Sequence, residues 1–150
     1  MKVNALQVRN SIFWGLVAIF AVLVTAIVTG WGRRLGFVMP LSAMIVLAAA
    51  FVVLAVALVI ITAKLRESGI RKSFFIVTGV SAALIPICAI LHNLVYGLCM
   101  VWLGKDFWGT GGDEAVFFIL AIIVCPALFV LGAIGSIVLL VSAKLRKKES

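Results

Sequence analysis

The sequence predicts an all-α integral membrane protein, an antiparallel up-down-up-down bundle of four transmembrane helices with no sheet. Three observations carry that prediction. The 150 residues are 65% hydrophobic and 12% charged, with a mean hydropathy of +1.33, whereas a soluble domain holds about 25% charge. Every Lys, Arg, Asp and Glu falls outside four uncharged stretches, 10–32, 35–63, 73–104 and 115–143. These stretches hold 23, 29, 32 and 29 residues, and each exceeds the ~20 residues that a helix needs to cross a bilayer. The chain is accordingly expected to form one tetraspan domain over 1–150, with spans at about 11–30, 39–63, 74–103 and 115–143 and short basic termini.

Charge sets the expected orientation. The formal net charge is +8, but the cations flank apolar stretches, so they read as topology signals rather than as a nucleic-acid surface. Ten of them (Lys2, Arg9, Lys64, Arg66, Arg71, Lys72, Lys144, Arg146, Lys147 and Lys148) lie on one side, against Arg33, Arg34 and Lys105 on the other. The positive-inside rule then places both termini in the cytoplasm, with the expected location the cytoplasmic membrane of a prokaryote. A basic cytoplasmic rim should also attract anionic lipid. The first stretch is expected to stay as a span and not to be cleaved as a signal peptide, because it is long, lacks an A-x-A site and runs into Arg33-Arg34.

Each span is assigned a packing face from small residues at helical spacing, since in lipid the close approach of backbones holds helices together. Span one offers Ser11, Gly15, Ala18, Val22, Thr25 and Thr29. Span two opens at Pro40, a first-turn proline, and carries Ala43, Leu47, Ala50, Leu54, Ala57 and Ile61 as a heptad-like seam. Span four presents Ala121, Cys125, Leu128, Gly132, Ser136 and Ala143. Spans three and four are longer than a ~30 Å hydrocarbon core requires, and Pro86 and Pro126 mark their bend points. Trp31, Trp102, Phe107 and Trp108 fit an outer aromatic belt and Trp14 an inner one.

Candidate chemistry concentrates in span three. Thr78, Ser81, Cys88, His92, Tyr96 and Cys99 fall within about 80° of one another, a polar stripe on an apolar helix. With Cys125 of span four at a similar depth, the candidate intramembrane site is Cys88, His92, Tyr96, Cys99 and Cys125. A metal, proton or ligand site competes here with ordinary packing, and packing is favoured because such interhelical bonds are common and modest. No Asp or Glu lies inside a stretch, so His92 is expected as a neutral imidazole bonded to Tyr96, Thr25 or Cys125. Asn93, about 100° away, is a second polar anchor for another helix or a subunit. Asp106, Trp108, Asp113 and Glu114 are the candidate outer-loop contact. Asp113 and Glu114 are expected to cap span four in preference to binding a divalent cation.

Counting removes several functions. Bis-histidine haem needs two His and the chain has one; a carboxylate-driven antiporter needs an intramembrane acid; quinone-linked thiol chemistry calls for a C-x-x-C pair, and Cys88, Cys99 and Cys125 make none. No catalytic set or cofactor is expected. The reading is a small noncatalytic membrane protein that scaffolds, anchors or oligomerises, with the bilayer and either a second copy or another membrane subunit as partners. The alternative is a small carrier, pore or ligand-binding protein that uses the polar stripe.

Overall fold

The computed structural model describes residues 2–29, 41–67, 69–104, 106–109 and 112–149. Among them all regular structure is helical: α1 (Lys2–Thr29), α2 (Leu41–Lys64), α3 (Ile70–Trp102), α4 (Ala115–Ile119) and α5 (Cys125–Glu149). A π-helical turn, Leu120–Val124, joins α4 to α5. Four stretches, Ala5–Thr25, Ile45–Lys64, Ile70–Trp102 and Ala115–Arg146, are long and apolar enough to cross a membrane. The helices outrun the uncharged stretches at the basic ends, because a backbone hydrogen-bond ladder does not stop where hydrocarbon does. The segment 30–40, with Trp31, Arg33, Arg34 and Pro40, lies outside the described residues, as do Lys105 and the side chains of Lys2, Thr29, Ala43, Lys147 and Lys148.

α3 is the central helix, packing most extensively against α5 and α2, while α1 lies mainly on α2. Large aromatic side chains carry α1 further into the bundle. Phe13 meets Phe75 of α3 edge-on with ring centroids 5.1 Å apart, and Phe20 meets Phe129 of α5 at 4.3 Å. Two glycines set how closely α3 is approached. A Cβ at Gly79 would come within 3.0 Å of the Ala55 carbonyl oxygen, and one at Gly132 within 2.6 Å of Thr78 Oγ1. Both residues are buried, and without a side chain there the backbones of α2 and α5 come close to that of α3.

These contacts correct the expected faces. In α2 the buried residues are Phe51, Ala55, Leu58 and Thr62, so the seam runs one position later than expected; Ala50 points outward and Ala57 is half-buried. In α1 the buried residues are Arg9, Phe13 and Leu16, while Ser11, Ala18 and Val22 of the small face are exposed. Bulky side chains fill the interior and small ones face out, the reverse of what was expected. In the fourth stretch Ala121, Cys125, Gly132 and Ser136 are buried as expected, but Leu128 is exposed and Phe129 is buried instead.

The π-helical turn explains the inward face of the fourth stretch. Pro126 has no N–H and would crowd the carbonyl four residues back, at Ile122. The Cys125 N–H bonds instead to the Leu120 carbonyl, five residues back. In a regular α-helix, steps of four residues drift by about 40° each. The wider turn absorbs that drift between Ala121 and Cys125, so both stay on the buried face that Phe129 of α5 continues.

Candidate functional site

The chain turns back after α3 so that the fourth stretch begins level with His92, about ten residues or ~15 Å below the end of α3. Two carboxylates reach the ring as a result. The His92 Nδ1 lies 2.8 Å from the Glu114 carbonyl oxygen and 3.3 Å from its Oε2, and Nε2 lies 3.6 Å from Asp113 Oδ2. Both ring nitrogens thus face oxygen acceptors; a neutral imidazole donates to one of them and an imidazolium to both. The His92 ring packs on Phe118, with centroids 5.4 Å apart.

Glu114 is the hinge of this arrangement and is buried. Its Oε1 accepts from the backbone N–H groups of Val116 and Phe117 at 2.8 and 3.1 Å, which makes it the N-cap of α4. Asp113 Oδ1 in turn accepts from the Glu114 N–H at 2.7 Å. Capping is therefore observed one residue later than expected: Glu114 is the N-cap instead of a first-turn acid, with stabilisation from the positive end of the helix, and Asp113 bonds only the Glu114 N–H. The bonding expected of His92 is corrected, because its ring is held by the cap of the next helix. Tyr96 stacks on Trp108 at 6.1 Å, and Cys125 belongs to a different cluster.

The rest of the stripe divides into separate groups. Toward the basic end, the Thr78 hydroxyl donates to the Phe74 carbonyl at 2.8 Å and the Ser81 hydroxyl to that of Val77 at 2.6 Å, both within α3. Cys88 and Cys125 are buried together with Ala121, under Ile85, Phe117 and Leu120. Both are free cysteines, as is Cys99. Cys99 lies two turns outward from His92, where Val95, Leu98, Cys99, Trp102 and Leu103 line an apolar groove of about 270 Å³. The five candidate residues thus occupy four places instead of one: Cys88 with Cys125, His92 at the cap of α4, Tyr96 on Trp108, and Cys99 in the groove. Among the described residues, no group of three or more His, Cys, Asp and Glu side chains is placed to hold a metal ion.

Of the outer-loop candidates, Asp113 and Glu114 join His92, Trp108 joins Tyr96 and Phe107, and Asp106 is exposed. Asn93 donates to the Ala89 carbonyl of its own helix at 2.8 Å and does not bond another helix. Trp14, Trp102 and Phe107 are exposed, in keeping with aromatic-belt positions.

One polar constellation was not anticipated. Arg9, 1% exposed, forms an ion pair with Glu67 of the α2–α3 loop, bonds Asn10 Oδ1 through Nε and Nη2, and lies 4.1 Å above the Phe75 ring. Arg71 approaches the same carboxylate at 3.9 Å. The signal in the sequence was Glu67, the sole acid among the cations of that loop.

No protein-family model, curated protein or solved structure matches this chain. Its role therefore rests on its own geometry.

Proposed function

We propose that the chain is a small noncatalytic membrane protein whose four spans alternate in direction, with both termini on the basic cytoplasmic side, and which anchors or scaffolds a membrane assembly by packing against further helices. The alternation is supported by contacts at the two ends. Arg9, early in α1, pairs with Glu67 between α2 and α3, and His92, late in α3, pairs with Glu114 at the start of the fourth stretch.

The observation that carries the assembly role is the outward placement of small residues on the first two helices. Ser11 and Ala18 of α1 and Ala48, Ala49 and Ala50 of α2 are exposed, although small residues at helical spacing contribute packing only where another backbone comes close. Meanwhile several polar groups of α3 are bonded within the chain, Thr78, Ser81 and Asn93 to carbonyls of their own helix and His92 to Glu114.

Native mass spectrometry of protein released from its own membrane tests the role. An oligomer or a defined complex is expected, and Ala18→Leu with Ala50→Leu should dissociate it while leaving the thermal unfolding of the chain unchanged. A strictly monomeric, partner-free chain would overturn the proposal. The groove at Val95, Cys99 and Trp102 favours a second reading as a ligand-binding membrane protein. Under that reading Cys99→Trp would abolish ligand copurification and leave assembly intact.

A further inference from the structure

The basic end of the molecule contains cations of two kinds. Arg9 is buried against Glu67 and Phe75, and Lys72 is turned onto the end of α2, its Nζ donating to the Ala63 carbonyl at 2.9 Å. Arg71 leans toward Glu67. By contrast Lys64, Arg66, Lys144 and Arg146 are exposed, and among the described residues none of them forms an ion pair. Glu67 is engaged by Arg9, which leaves this end with a surplus of unpaired cations.

Lys64 and Lys144 sit at the ends of apolar strips, with Arg66 and Arg146 two residues further along the chain. On α2, Val56, Ile60 and Lys64 follow one another at four-residue steps. On α5, Ile134, Val138, Val141 and Leu145 follow at steps of four, three and four, with Lys144 beside the last. The apolar members of both strips are between 43% and 58% exposed. A single helix face therefore offers hydrocarbon surface along its length and an ammonium group at its end, the complement of an acyl chain below a negatively charged headgroup.

We infer that Lys64 with Arg66, and Lys144 with Arg146, form two binding surfaces for anionic phospholipid, taking the headgroup phosphate on the cations and the acyl chain along the α2 and α5 strips. The inference rests on the membrane reading above. It narrows the lipid contact expected of the whole basic rim to the cations that the fold leaves unpaired. Free phosphate shares the headgroup chemistry but has nothing to lay on the strips.

The test uses the full chain purified in detergent and offered phosphatidylglycerol and phosphatidylcholine in equal amounts, with retained lipid read by native mass spectrometry. Selective retention of phosphatidylglycerol is expected, unaffected by inorganic phosphate. At about fivefold per cation, the pairs Lys64→Gln/Arg66→Gln and Lys144→Gln/Arg146→Gln should each weaken their own surface by well over fivefold, so that each pair alone loses about half of the retained phosphatidylglycerol and the two pairs combined lose nearly all of it. The charge-conserving Lys64→Arg/Lys144→Arg should retain it, which controls for folding. Equal retention of both lipids, undiminished retention in the glutamine variants, or displacement by inorganic phosphate would overturn the inference. Alkaline carbonate extraction is scored separately: release of the chain would overturn the membrane reading itself, whereas membrane retention without lipid preference overturns this inference alone.

Discussion

His92 and Glu114 form the tie between α3 and the fourth stretch, because one residue both caps a helix through its side chain and accepts the imidazole through its backbone. Removing the donor with His92→Leu should lower stability by about 1 kcal/mol, the scale of side-chain hydrogen bonds between membrane helices. His92→Gln, which keeps an N–H donor, should lose less. Glu114→Ala also removes the cap and should cost about 1–2 kcal/mol, with Glu114→Gln intermediate. Thermal denaturation in detergent ranks the four variants; equal stability for His92→Leu and wild type would refute the tie, and equal stability for Glu114→Ala and wild type would refute the cap. At the other end, Glu67→Gln leaves the buried Arg9 without its anion and should cost about 1.5–3 kcal/mol. Arg71→Gln, whose guanidinium is exposed and 3.9 Å from the carboxylate, should change stability by less than about 0.5 kcal/mol. The cap was legible in the sequence because an acid immediately before an apolar stretch has few other uses. The partner of His92 was not, since its depth was measured from the end of α3 and the return of the loop brings Glu114 down to meet it.

At the scale of the helices, the close approaches at Gly79 and Gly132 fix which faces meet. Ala55, fully buried with its carbonyl against Gly79, has no room to grow. Ala55→Leu should destabilise the chain by about 1–3 kcal/mol through overpacking, whereas Ala50→Leu should leave unfolding of the single chain unchanged. If Ala50→Leu were the more damaging in thermal unfolding of the isolated chain, the phase assigned to α2 would be wrong. Between Ala43 and Ile61 every residue is apolar, and the polar side chain that marks the inner face is Thr62, one residue beyond that run and buried in phase with Ala55 and Leu58. In the fourth stretch the small residues Gly132 and Ser136 did identify the inner face, and Pro126 did mark the irregularity. What spacing at 100° per residue could not show is that the irregularity is a widened turn, which shifts the buried position from Leu128 to Phe129.

For the whole molecule, the number of helices follows from where charge is excluded, since an ionised side chain is expensive in hydrocarbon while an apolar helix satisfies its own backbone. The spacing of the charges therefore located all four stretches. It could not show which faces turn inward, and that decides the functional reading: Phe13 and Phe20 of α1 pack into the core while Ser11 and Ala18 remain outside. If other helices pack on these outward small faces, as proposed, cysteine crosslinking in native membranes will report the contact. In a chain with Cys88, Cys99 and Cys125 replaced by Ser, single cysteines are placed at Ser11, Ala18, Ala50 and, as a buried control, Ala55. Oxidation should link the first three into defined dimers or to a partner and leave the Ala55→Cys chain unlinked. Uniformly absent crosslinks at Ser11, Ala18 and Ala50, or crosslinks as efficient at Ala55 as at Ala50, would contradict the account.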